Sequence, residues 1–265
     1  MCTPINLDYR VFIAIISHGH EDLILSQLRP DKWLNESQVI KPVILSNTKS
    51  EKLNRYCAQA GILYLENEAC RGFGANNNTI FRHLKESKQI NSKDYFFCIN
   101  PDVKTNTENL KRMAMEMGQY DFQIAAPNLL NAGGEPEDNI RKFPTLIDCI
   151  LRLALKSSNT NIEKSRIQSP RNVDWASGAF LCFRADTYAR LGGFDERYFM
   201  YYEDADICFR AEQQGVQTTY IPHITAIHDG ARSSRKLFSN LMYHHIKSAL
   251  RFIWLRGRDS SGMQR

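Results

Sequence analysis

The chain has 265 residues, of which 43% are hydrophobic and 24% charged, an ordinary globular composition that excludes a disordered or fibrous protein and suffices for one large domain or two small ones. Lys and Arg outnumber Asp and Glu by 34 to 29. That basic lean suits phosphate-bearing ligands or an anionic membrane surface, but it lacks the concentrated patch of a nucleic-acid binder. No apolar run approaches the roughly 20 residues that cross a bilayer, and the short run after Asp8, Tyr9 and Arg10 is too brief and wrongly flanked for a signal peptide. Cys2, Cys57, Cys70, Cys98, Cys149, Cys182 and Cys208 form no CxxC pair, so they read as reduced core thiols of a cytosolic protein rather than a zinc site or disulfide framework.

In chain order, "VFIAIIS" (11 to 17) is a β-branched and aromatic run ending in a loop, as a buried parallel strand does, and "KPVILSN" (41 to 47) repeats it. Residues 21 to 29, with Leu23, Leu25 and Leu28, have helical spacing. "GILYLEN" (61 to 67) and "DYFFCIN" (94 to 100) are further strands, separated by a helix over 77 to 90 through Ile80, Phe81 and Leu84. Strands alternating with helices predict an α/β fold, a mainly parallel central sheet with helices on both faces. Ligands of such sheets bind beyond the carboxyl ends of the strands, here after Ile16, Leu45, Leu65 and Ile99.

"NAGGEPEDN" (131 to 139) reads as a turn-rich insertion and 156 to 172 as a mobile loop. "VDWASGAFLCFR" (173 to 184), a helix through "FMYYEDADICFR" (199 to 210) and a strand "QTTYIP" (217 to 222) follow. The segment 236 to 256 carries Leu237, Leu241, His244 or His245, Ala249 and Phe252 on one stripe and Lys236, Lys247, Arg251 and Arg256 elsewhere. It reads as a helix packed on the domain or as a basic amphipathic surface that meets a membrane.

Four stretches carry chemistry. "INPDV" (99 to 103) ends an apolar strand with Asp102, where a carboxylate suits a divalent cation bridging phosphates; the same residues also make a good turn. "CRGFGANNN" (70 to 78) places Gly72 and Gly74 where backbone approaches a ligand, just before a helix start that favours anions, or else is a loop with an Asn cap. "AIHDGARSSR" (226 to 235) sets His228 at a strand end as a metal ligand, with Arg232 and Arg235 suited to a diphosphate. In "FMYYEDADICFR", Glu203, Asp204 and Asp206 are wrapped in Phe, Met and Tyr, which a plain solvated charge run would not be. Apolar and like-charged neighbours raise a carboxylate's proton affinity and suit a general base, and Arg210 is placed to pair with Glu203 or Asp206 and leave Asp204 unpaired.

Together with "SHGHED" and "GGFDERYFMYYEDADICFRAEQQG", these motifs resemble bacterial family 2 glycosyltransferases of the GT-A fold, most narrowly the rhamnosyltransferases of O-antigen and related lipid-linked glycans, over about residues 10 to 255. The resemblance implies a GT-A domain over 1 to 235, with a Rossmann-like nucleotide-sugar half (about 10 to 125), an acceptor half (about 126 to 235), and a basic amphipathic helical segment over 236 to 265. It implies an inverting, Mg2+- or Mn2+-dependent transfer from a nucleotide sugar, dTDP-L-rhamnose, to a polyprenyl-diphosphate-linked N-acetylglucosamine or oligosaccharide. The reaction would take place at the inner face of the cytoplasmic membrane, with no nucleic-acid partner.

Position by position, the resemblance makes Asp204 the base and Glu203 its orienting neighbour. Asp102 becomes the last acid of the family's DXD metal motif, and His228 the histidine that completes the metal site. Ser17, Asn47, Gly72, Asn77, Asn100, Arg232 and Arg235 fall to the donor, and Trp175, Ser177 and Gly178 to the acceptor. Three departures stand out: Asn100 replaces the first DXD acid, Ser46 an acid often found beside Asn47, and Cys70 an Asn before the glycine loop. A UDP-sugar donor is the alternative within the same mechanism, and a non-catalytic sugar-nucleotide or glycan-binding protein the alternative from another class.

Overall fold

The computed structural model describes residues 9–145, 147–148, 160–228, 230 and 238–262. Strands β1 (Val11–Ser17), β2 (Ile40–Ser46), β3 (Leu63–Glu66) and β4 (Tyr95–Ile99) pair in parallel in the order β3-β2-β1-β4. β1 sends Val11, Ile13 and Ile15 into one core and Phe12 and Ala14 into the other, which is why it reads as a continuous apolar run. Helices cover both faces. Leu53 and Cys57 of α3 (Glu51–Ala60) and Met113 of α5 (Thr107–Gln119) pack on the Ile13 side; Ile80, Phe81 and Leu84 of α4 (Phe73–Glu86) pack on the Phe12 side.

Local chemistry sets the boundaries. The Ser50 hydroxyl accepts the Leu53 N–H at 3.3 Å to open α3, and Gly61, at φ 69°, closes it in the left-handed conformation. Residues 21 to 29 form a short turn, α1 (Glu21–Leu23), that widens into a π-turn over Ile24–Leu28 before α2 (Pro30–Glu36).

Past β4 the sheet becomes mixed. β10 (Phe180–Arg184) runs antiparallel between β4 and β6 (Ile124–Leu130), β11 (Thr218–His228) lies parallel to β6, and β5 (Val103–Lys104) and β8 (Arg171–Val173) pair with β11. The inversion positions the site. Phe180 pairs with Ile99 and the Asn100 N–H donates to the Ala179 carbonyl at 2.9 Å, so "NPD" and "SGA" lie side by side. A two-stranded ribbon of β7 (Ile140–Arg141) and β9 (Trp175–Ala176) flanks them, and α6 (Ala185–Arg190), α7 (Glu203–Gln213) and α8 (Phe238–Gly262) complete the carboxyl half.

Several expectations shift. The helix expected over 77 to 90 spans Phe73–Glu86, so the amide run of "GFGANNN" is inside the helix, with Gly72 as its N-cap, and not in a loop before it. The strand expected at 217 to 222 continues through an irregularity between Ile221 and Thr225 to His228. Within 156 to 172 the described part, from Thr160, is anchored: Thr160 and Ile167 are buried and Lys164 hydrogen-bonds Asn128 and Asn139. Cys57, Cys98, Cys182 and Cys208 are core thiols as expected, whereas Cys70 is exposed, and Cys2 and Cys149 lie outside the described residues.

Candidate active site

The carboxyl ends of β4 and β9 and the head of α7 enclose a cavity of about 480 Å³, lined among others by Asn100, Arg141, Trp175, Gly178, Asp204 and His245. Its floor is the start of α7, and the chain enters that helix under strain. Tyr201 and Tyr202 take φ of 70° and 66°, left-handed values that side chains with a Cβ rarely adopt. α8 holds them there. His245 packs on both tyrosine rings at 5.2 and 5.4 Å, Phe252 packs on Tyr202 at 5.7 Å, and the Ser248 hydroxyl donates to the Met200 carbonyl at 3.0 Å.

The three acids have separate environments. Asp204 faces the cavity; one of its oxygens accepts the Gly178 N–H at 3.1 Å and the other the Ala205 N–H at 2.9 Å. Burial raises its proton affinity, against which these N–H groups and the charge of Arg141 favour the ionised form. Glu203 is buried and one of its oxygens has no hydrogen-bond partner. Burial, reinforced by the charge of Asp204, pushes its carboxyl up to about 8. Asp206 points away, accepts from Arg210 at 2.7 Å and completes a clamp in which Arg210 also donates to the carbonyls of Leu191 and Gly193 at 2.6 and 2.9 Å. Of the two pairings open to Arg210, the structure therefore selects Asp206.

Both carboxyls are held above the ordinary range, Glu203 by burial and the charge of Asp204, and Asp204 by burial against its N–H partners. Between the ordinary Glu value and about 8 the native state keeps a proton on Glu203 that the unfolded chain has released, so Glu203 makes stability fall as pH rises through that window. The melting-temperature advantage of Glu203→Gln over wild type is therefore expected to grow from about pH 5 to pH 8 and then level off. A difference that stays constant with pH refutes a protonated Glu203.

The residues expected on the acceptor side come together at the cavity. Trp175 donates its indole N–H to the Lys142 carbonyl at 3.0 Å, and Arg141 lies over its ring at 5.7 Å while pairing with Asp138 at 2.8 Å. Ser177 accepts the Ala179 N–H at 3.2 Å. An added Cβ on Gly178 would lie 3.0 Å from the Phe73 ring, a tight approach, and the Gly178 N–H donates to Asp204.

The expected metal pair also meets: His228 Nε2 is 3.4 Å from Asp102 Oδ1, with Glu137 at 2.6 Å from the other ring nitrogen. Burial opposes charge on this imidazole, but the bonds and charges of Asp102 and Glu137 outweigh it and raise His228 to about 9. Among the described residues no three acidic, His or Cys side chains converge on one point. An incomplete protein shell of this kind fits a divalent ion whose other ligands are substrate phosphates and water.

The donor-side set is less open than its sequence suggests. Ser17 and Asn77 are fully buried, and the Asn47 amide is engaged by Arg71, Asn67 and Cys70. The close approach expected of a ligand at Gly72 is made by the chain itself: an added Cβ would lie 2.5 Å from the Phe199 carbonyl oxygen, and one on Gly74 2.7 Å from Phe194 Cβ. Of that set Asn100 reaches the cavity, and Arg232 and Arg235 lie outside the described residues.

Residues 122–242 match the family model described as glycosyltransferase like family 2. Rhamnosyltransferase WbbL of Escherichia coli (strain K12) is 34% identical over 246 residues, 92% of each chain. The chain belongs to glycosyltransferase family 2. The N-acetylglucosaminyl-diphospho-decaprenol L-rhamnosyltransferase of Mycobacterium tuberculosis (strain ATCC 25618 / H37Rv) is 31% identical over 176 residues, 63% of this chain and 56% of that one. Mannosyltransferase PcManGT from Pyrobaculum calidifontis, solved in complex with GDP-Man and Mn2+, shares the fold at a TM-score of 0.55 and 15% identity, over 85% of this chain and 59% of that one.

This family 2 glycosyltransferase has the GT-A fold expected from its motifs. Sequence reading missed Arg141, Glu137, Asp138 and the ring contacts of His245. The first three sit in or just after the turn-rich insertion, where "EPED" was the one available signal; nothing in the spacing of α8 shows which of its histidines faces the cavity.

Proposed function

We propose that the enzyme is an inverting rhamnosyltransferase that uses dTDP-L-rhamnose and a polyprenyl-diphosphate-linked N-acetylglucosamine or oligosaccharide. The observation that carries the chemistry is Asp204, held by the Gly178 N–H at the edge of a cavity shared with Asn100 and Trp175. The sugar and acceptor class are supported by the names of the two rhamnosyltransferase relatives. Asp204 takes the proton of the acceptor hydroxyl as its oxygen bonds to the anomeric carbon; the bond from that carbon to the diphosphate breaks with inversion, and dTDP leaves. Burial beside Asp204 favours the protonated form of Glu203, the Gly178 and Ala205 N–H groups favour the ionised form of Asp204, and Trp175 offers a flat apolar face to a sugar ring.

Mg2+ or Mn2+, held by Asp102 and His228, would supply positive charge for the departing diphosphate. Arg232 and Arg235 follow His228 closely enough in sequence to serve the same group.

Among the described residues no helix is long and apolar enough to cross a membrane. α8 instead exposes Tyr243, Leu250 and Trp254, at 56 to 62% exposure, while its Ala249 and Phe252 are buried. With Lys247 beside Tyr243, this face supports peripheral attachment at the inner surface of the cytoplasmic membrane, where a lipid-linked acceptor resides.

Purified enzyme assayed with dTDP-L-rhamnose, UDP-galactofuranose, UDP-galactose and UDP-N-acetylglucosamine against an N-acetylglucosaminyl-diphosphate lipid is expected to turn over dTDP-L-rhamnose. Turnover with UDP donors alone removes the rhamnosyl assignment; nucleotide-sugar binding without turnover of any donor favours a binding protein.

A further inference from the structure

We propose that Glu137 is a positioning residue for a divalent cation held by His228 and Asp102, a reading that rests on the metal use proposed above. An imidazole has two nitrogens with separate tasks. Here they face opposite partners: Glu137 Oε2 lies 2.6 Å from Nδ1, and Asp102 Oδ1 lies 3.4 Å from Nε2. A cation that takes the place of the Nε2 proton finds Nδ1–H still donating to Glu137 and the Nε2 lone pair fixed on the Asp102 side. A carboxylate behind a ligating histidine sets its tautomer and ring plane and makes it a stronger ligand. The Nε2 to Asp102 distance is also near the spacing of neighbouring ligands on one ion, about 3.0 Å for two octahedral ligands at about 2.1 Å.

The loop that brings Glu137 there is built with more bonds than a simple connection needs. Asn131 Oδ1 accepts the N–H groups of Gly133 and Glu135 at 2.8 and 3.0 Å, the Asn131 N–H donates to the Glu135 carbonyl at 2.8 Å, and the Glu137 N–H donates to the Leu129 carbonyl at 2.8 Å. The next residue, Asp138, pairs with Arg141 on the acceptor side, so one loop serves both halves of the site. With Asn100 in place of an acid, the chain offers a single carboxylate in its "NPD" motif. Glu137 makes no direct replacement for the missing ligand, because it sits on the far nitrogen. It compensates by strengthening the histidine that remains.

Mn2+ titrations in the presence of dTDP, read by the electron paramagnetic resonance of free Mn2+, test this without any turnover. Glu137→Ala is expected to weaken Mn2+ binding about 10- to 100-fold, the range found when such outer carboxylates are removed. Glu137→Gln, whose carbonyl oxygen accepts the same bond, is expected to lie between Glu137→Ala and wild type, and it carries the test if the alanine variant fails to fold. Wild-type Mn2+ affinity in both Glu137 variants, alongside its loss in His228→Ala, overturns the role of Glu137 alone. A wild-type enzyme that binds no Mn2+ with dTDP, or a His228→Ala variant that binds it as wild type does, removes the metal reading and this one with it.

Discussion

Asp204→Asn is expected to lower kcat by about 10³-fold, the middle of the range for a general base, while leaving nucleoside diphosphate affinity essentially unchanged. The substitution is nearly isosteric. An asparagine carbonyl oxygen accepts the Gly178 N–H that Asp204 accepts at 3.1 Å, giving up only the bond to the Ala205 N–H within the helix start, so the contact between the Gly178 loop and α7 is kept. What disappears is the proton acceptor. Because the change acts on the transition state rather than on ground-state binding, calorimetric affinity for dTDP should not follow the fall in rate. Initial rates at saturating donor, set beside that calorimetry, decide the matter. A kcat within about tenfold of wild type would move the base elsewhere in the cavity.

Asp206, two positions away, is expected to show the opposite pattern. Its side chain is 2% exposed and bonded to Arg210, itself 30% exposed and tied to the carbonyls of Leu191 and Gly193. Asp206→Ala strips Arg210 of its countercharge and loosens the clamp between α7 and the turn before Phe194. The loss should be roughly 3 kcal/mol, the low end for breaking a buried pair because Arg210 retains some solvent. For a chain of this size that is about 6 to 12 °C in melting temperature. The folded fraction should keep a kcat close to wild type, since Asp206 does not line the cavity. A melting temperature within about 2 °C of wild type would show that the clamp does not hold α7 in place.

Three acids in four positions thus divide into one that faces the cavity, proposed as the base, one buried beside it, and one paired with Arg210. The wrapping of "FMYYEDADICFR" in apolar residues signalled altered acids, but it left the pairing of Arg210 open. Only the fold decides it. Asp206 lies one helical turn before Arg210, on the side facing the Leu191 and Gly193 carbonyls, whereas Asp204 faces Gly178 across the cavity. The tyrosines before the helix carry left-handed strain that no residue pattern announces, since their stability in that conformation comes from His245 and Phe252 of α8, some forty residues later.

The sequence by itself determined what local forces determine. The parallel strands β1, β2 and β4 are legible because both faces of each are buried, so the apolar run is continuous, and the helices because their apolar residues recur with the helical period. Asp204, Asp102 and His228 stood out as candidates because each follows an apolar run, and the structure sets Asp204 on the cavity and His228 beside Asp102.

The tertiary structure decided everything that depends on which distant segments touch. The amide run "GANNN" looked ligand-facing, yet Asn76 and Asn77 are fully buried and Asn78 is bonded to Tyr188 and Phe194, more than a hundred residues away. A small or amide side chain serves equally well against a ligand or against the protein's own backbone, and composition cannot tell these apart. Likewise the turn residues of "NAGGEPEDN" identify a loop but not its destination. That Glu137 reaches His228 follows from the pairing of β6 with β11, whereas Asp138 and Arg141, three residues apart, meet locally and are set beside Trp175 by the pairing of β7 with β9.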